Sequence, residues 1–113
     1  MPLDRPIDQY SRVQIWLRDY EESWGGASGD TDEQLRALEL FCTYVGKDPD
    51  AICSECLRAL DRGGERIRYK ARHHYIRQIE AFESTPEGSR RAANAVRSFM
   101  IHNGIAMGGR ASW

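Results

Sequence analysis

The chain has 113 residues, of which 41% are hydrophobic and 29% charged, with a formal net charge of −1. That length holds one domain with one modest core and excludes an enzyme with separate substrate and cofactor lobes. The composition excludes a disordered chain, and the absence of an apolar run of the ~20 residues a bilayer crossing needs excludes a membrane span. The start, Met1-Pro2-Leu3-Asp4-Arg5-Pro6, lacks a signal peptide's basic start and apolar run, so a cytoplasmic protein is expected.

From Ile7 to about Glu22, Tyr10, Val13, Leu17 and Tyr20 recur at helical spacing, and Trp24 would extend the stripe. The glycine-rich run Gly25-Gly26-Ala27-Ser28-Gly29-Asp30 breaks this first helix. Asp30 or Thr31 caps a second, whose buried stripe is Leu35, Leu38, Phe41, Cys42 and Val45 and whose natural stop is Gly46. Asp32 and Glu33 suit its electropositive start. Pro49 opens a third helix with Ile52, Cys56, Leu57 and Leu60 inward, ended by Gly63-Gly64.

A fourth helix is expected from about Glu65 to Glu83, with Ile67, Ala71, Tyr75, Ile79 and Phe82 in one apolar sector. Arg66, Lys70, His73 and Arg77 fall almost opposite. After the loop Ser84-Thr85-Pro86-Glu87-Gly88, Ser89 caps a fifth helix that buries Ala92, Ala93, Val96, Phe99 and Met100. Arg90, Asn94 and Arg97 line its exposed polar stripe, and Asn103-Gly104 stops it. Residues 108–113 read as a tail or linker. No alternating strand pattern and no internal repeat is found, so the expected fold class is all-α, a compact bundle of about five short helices.

Charge is unevenly spread. Residues 1–61 hold six Lys and Arg against thirteen Asp and Glu, whereas residues 62–97 hold nine against four. A basic segment on an otherwise acidic domain is the pattern of a face that meets a polyanion.

Cys42, Cys53 and Cys56 read as reduced thiols. Cys53 and Cys56 have the spacing of half a zinc site, with His73-His74 as a conceivable other half, but histidines that share a structural zinc stand three to five residues apart. The competing reading packs Cys56 in the core with Cys53 at its edge. A thioredoxin-like role would need a strand leading into the motif. No phosphate-binding glycine loop and no specific Ser, Cys, His and acid constellation is present, so no active site, cofactor or small-molecule substrate is expected.

The two basic stripes carry the remaining signal. Arg and Lys along a helix face can track phosphates, and Asn94 can reach a phosphate or a base edge. The alternative for either stripe alone is an ordinary solvated face. Two successive helices with the same feature, the second beginning Ser89-Arg90-Arg91, point to nucleic acid.

The run Ser28-Gly29-Asp30-Thr31, then Leu35, Leu38 and Phe41, then Val45-Gly46-Lys47-Asp48-Pro49-Asp50-Ala51-Ile52, resembles the second helix and following turn of the core-binding domain of tyrosine recombinases, the phage integrase family. Ser89-Arg90-Arg91-Ala92-Ala93-Asn94-Ala95-Val96-Arg97-Ser98-Phe99, closing with Asn103-Gly104-Ile105, is similar to that family's closing helix. The resemblance spans residues 7–107 in order and spacing. It departs at Asp30, Asp32 and Glu33, where basic or neutral polar residues are usual, and at Leu35, where an aromatic is usual.

The resemblance implies a SAM-like bundle over residues 1–107 that clamps duplex DNA at a recombination half-site, beside other recombinase protomers. Cleavage for DNA integration or recombination would belong to a following catalytic domain, with residues 108–113 as the start of the linker. The DNA-facing residues it implies are Ser89, Arg90, Arg91, Asn94 and Arg97, joined by Arg66, Lys70, His73 and Arg77. A rival from another class is a SAM-like or death-fold association module, in which the acidic half of one copy meets the basic half of another.

Overall fold

The computed structural model describes residues 3–24 and 31–107, and side chains from 21 to 24 are left aside. The expected glycine break at 25–30 with its Asp30 cap, the Trp24 side chain and the tail at 108–113 lie outside the described residues. A single 3-10 turn, Ile7–Gln9, leads into α1 (Ser11–Trp24), followed by α2 (Thr31–Val45) and α3 (Pro49–Cys56). Two short strands, β1 (Leu57–Ala59) and β2 (Glu65–Ile67), precede α4 (Tyr69–Glu83) and α5 (Arg90–His102). The fold is thus mostly helical, with one small antiparallel hairpin.

The expected stripes build the core. Val13, Leu38, Phe41, Cys42, Ile52, Cys56, Ile79, Ala93, Val96, Phe99 and Met100 are fully buried, and Tyr10, Tyr75 and Phe82 nearly so. Leu35, Val45, Ala71 and Ala92 pack at the margin. Phe82 meets Phe41 edge-on at 5.4 Å between ring centroids, which locks α4 against α2.

Helix ends follow local chemistry. Asp48 accepts a hydrogen bond from the Ala51 backbone N–H at 2.7 Å, and Pro49 occupies the first helical turn of α3. Ser89 accepts from the Ala92 N–H at 3.0 Å at the start of α5. The α1 start is capped from a distance, because Asp50 of α3 accepts the Arg12 N–H at 2.9 Å. Gly104, with φ of +86°, lets the chain reverse after α5. At Gly88 the constraint is space: a Cβ there would lie 1.8 Å from the Phe82 carbonyl oxygen, so the chain entering α5 runs directly against the end of α4.

Several expectations are corrected. The all-α reading misses the hairpin, in which Leu57 pairs with Ile67, Arg58 with Arg66 and Ala59 with Glu65. The third helix ends at Cys56 instead of continuing to the glycines, and the fourth begins at Tyr69 rather than Glu65. Gly63 and Gly64, at φ of +87° and +81°, turn the hairpin: Gly63 N–H bonds the Leu60 carbonyl and Leu60 N–H the Gly64 carbonyl. This is a three-residue loop closed by a left-handed glycine. Leu60, expected inside, is 44% exposed, and Cys53, expected at the core's edge, is fully buried. The first helix starts at Ser11, after the 3-10 turn, rather than at Ile7.

Trp16, absent from the expected stripe, is fully buried. Its indole N–H donates to Ser98 Oγ at 3.1 Å, and its ring stands edge-on to Phe99 at 5.7 Å. Truncating Phe99 removes that contact and leaves a cavity where α1 and α5 meet. Phe99→Ala is expected to lower the unfolding free energy by about 3–5 kcal/mol in urea titrations followed by circular dichroism; an unchanged midpoint would contradict the α5 register.

Candidate nucleic-acid interface

The cysteines do not form a metal centre. Burial pushes the Cys53 thiol up to about 12 and Cys56 to about 11, and raises Cys42 as well. His73 and His74 are exposed on α4, whereas all three thiols are buried. Among the described residues no group of three or more His, Cys, Asp or Glu is placed to hold a metal ion.

On α4, Lys70, His73 and Arg77 form one exposed row opposite buried Tyr75, Ile79 and Phe82, as the helical spacing predicts. Arg66 does not continue that row. It sits on β2, where the backbone is extended and alternate side chains point to opposite faces, so the helical projection that grouped it with Lys70 fails. The first turn of α4 has no acidic residue, and its N-cap Arg68 makes no side-chain cap hydrogen bond. Arg68 and Lys70 therefore stand at the electropositive helix end, where cations are disfavoured.

On α5 the expected stripe divides. Arg90 and Asn94 are exposed. Arg91 pairs with Glu33 of α2 at 3.0 Å. Arg97 reaches Glu83 of α4 at 3.2 Å and also donates to Asn94 Oδ1 at 2.8 Å. Ser89 uses its oxygen as the helix cap. The start of α5 and the facing residues of α2 line an open groove of about 600 Å³, with Arg90, Arg91 and Asn94 on one wall and Glu33 and Arg36 on the other. Its charge is mixed, because the acidic start of α2 faces it.

Cations without an intramolecular partner concentrate elsewhere. Among the described residues, ion pairs take up Arg5, Arg12, Arg36, Lys47, Arg91 and Arg97. Arg58, Arg62, Arg66, Arg68, Lys70 and Arg77 are all exposed and join no such pair. Residues 57–77 carry seven Lys and Arg against two acids, Asp61 and Glu65, and Glu65 is held by Arg12 at 2.8 Å. Sequence reasoning missed Arg58, Arg62 and Arg68, because helical projection scattered them around a third and a fourth helix. Their signal was the density of arginine on both sides of Gly63-Gly64.

Comparison with protein-family models, with curated proteins and with solved structures returns no match for this chain. No helix among the described residues is long and apolar enough to cross a membrane.

The buried thiols give a direct check on this arrangement. In the native protein at pH 8, 5,5′-dithiobis(2-nitrobenzoate) is expected to leave all three cysteines unmodified, and to modify all three once the protein is unfolded in guanidinium. Rapid native-state modification of Cys53 or Cys56 would show that α3 does not hold them inside.

Proposed function

We propose that this chain is a duplex-DNA-binding domain of the core-binding, SAM-like type found in phage-integrase tyrosine recombinases. One observation carries the reading: exposed cations without intramolecular partners gather on the stretch from β1 through α4, while acids of α2 and α4 take up Arg91 and Arg97. An electropositive surface of this kind binds the phosphate backbone by releasing condensed counterions. Lys70, His73 and Arg77 supply backbone contacts along α4, and Arg90 with Asn94 supplies them at the start of α5. Arg91, Arg97 and Ser89 act at second hand by fixing α5 against α2, α4 and its own first turn.

The resemblance of the closing helix to the recombinase family supports the same reading. The chain itself would hold DNA, in the cytoplasm and beside other protomers, while strand cleavage would fall to a separate catalytic domain. The departure at Asp32 and Glu33 keeps the start of α2 away from phosphate, since like charges repel there.

Fluorescence anisotropy against a short duplex and a matched single strand, at two salt concentrations, tests the reading. Duplex binding is expected to fall steeply with salt. Lys70→Ala, Arg77→Ala and Arg90→Ala are each expected to flatten the logarithmic salt slope by about 0.9, as loss of one phosphate contact does. Arg97→Ala is expected to change the slope less, because its guanidinium is already committed to Glu83. No duplex binding at low salt, together with concentration-dependent self-association in sedimentation, would favour the association module instead.

A further inference from the structure

The hairpin between α3 and α4 has a feature its own folding does not explain. Arg58 and Arg66 are direct cross-strand partners, so their side chains leave the same face of a two-stranded ribbon with roots about 5 Å apart. Like charges placed directly opposite one another destabilise a hairpin. Arg68 alternates onto the same face as Arg66, and Arg62 stands in the turn. All four are exposed, and none joins an ion pair among the described residues. The other face of the ribbon is the structural one: Leu57 is buried, Ile67 packs against the core, and Glu65 receives the Arg12 guanidinium at 2.8 and 3.2 Å.

From this division of faces we infer that the hairpin is a phosphate-gripping wing, in which Arg58 and Arg66 jointly hold the backbone of duplex DNA. The inference rests on the duplex-binding reading above and adds an element to it. Two guanidinium forks on adjacent strands present paired N–H donors to phosphate oxygens, and an anion between them turns the repulsion into attraction. The root is fixed before binding. Arg68 N–H donates to the Cys56 carbonyl at 2.7 Å, closing the ribbon where α3 ends and α4 begins. Arg12 and Glu65 set its angle to α1. A two-stranded ribbon has the width to enter the major groove, and its outward arginines would meet the phosphates at the rim.

The test uses the full chain, a short duplex and three variants. Arg58→Ala/Arg66→Ala is expected to flatten the salt slope by about two and to weaken duplex binding roughly tenfold or more near 0.1 M salt. Arg58→Lys/Arg66→Lys keeps both charges and is expected to retain most of the slope. Arg66→Glu places opposite charges across the ribbon, so it is expected to raise the melting temperature of the free protein while weakening binding further. Opposite movement of stability and affinity is something an unfolded variant cannot produce. Wild-type affinity and slope in the double alanine variant, with Arg77→Ala still weakened, would overturn the wing and leave the duplex-binding reading in place. A wild-type chain that ignores duplex at low salt would overturn both.

Discussion

Arg12 ties together four elements that share no sequence neighbourhood. Its backbone N–H goes to Asp50 of α3, and its carbonyl accepts Asn103 Nδ2 at 3.0 Å from the end of α5. Its guanidinium holds Glu65 of β2. The same Asn103 amide also donates to the Phe99 carbonyl at 2.9 Å, so the α5 terminus is pinned to α1 through a buried carboxamide. Hydrogen bonds to buried backbone groups contribute modestly when made and cost more when broken, which gives this residue leverage over the bundle. Four separate orientations, those of α1, α3, α5 and the hairpin, meet at one position. Nearby, Trp16 and Phe99 fill the space between α1 and α5 with apolar surface, so the polar node and the aromatic contact brace the same interface from two sides.

The distribution of ion pairs follows from this packing. Bringing α5 against α2 and α4 sets Arg91 beside Glu33 and Arg97 beside Glu83, so close packing itself neutralises two of the three α5 arginines. The hairpin projects from the bundle on the opposite terms. Among the described residues its one ion pair lies at its inner face, and no acid pairs with its outer arginines. Exposed ion pairs contribute little to stability, so the pairing on α5 matters chiefly for what it withdraws from a ligand. What remains available is set by geometry rather than by the count of arginines in each helix.

The helices were legible because apolar residues at helical spacing mark a buried face directly: most of the expected α2, α4 and α5 stripe is in the core, with Leu35, Val45, Ala71 and Ala92 at its margin and Ile67 on β2 instead of α4. The cap at Ser89 was legible, since its chemistry is local, whereas the Asp48 cap of α3 emerged only in the structure, beside the Pro49 that the sequence did mark as a helix start. The hairpin was not. Strands of three residues offer one alternation, and Leu57 with Leu60, three apart, imitate a helix face until the glycines beyond them are seen to turn the chain. Trp16 escaped because its neighbour Leu17 completes the same stripe, and its partner Ser98 lies 82 positions away. The α4 row of Lys70, His73 and Arg77 was readable, whereas the partners of Arg91 and Arg97 depend on helix docking that no spacing encodes.

A three-residue ribbon has little stability of its own, so its shape must come from what it is attached to. Here both ends are helices of the core: β1 continues α3 without a break, and β2 passes through Arg68 into α4. Leu57 and Ile67 bury the inner face at the root, and the left-handed glycines set the turn at the tip. The outer face is thereby free of any structural duty. Replacing its arginines would leave the fold with the same buried contacts, so folding alone gives no reason for four cations on one short projection. Their repulsion is tolerated because the root and Arg12 hold the ribbon regardless, and a rigid mount of that kind is what lets charged side chains meet a ligand with little further loss of conformational freedom.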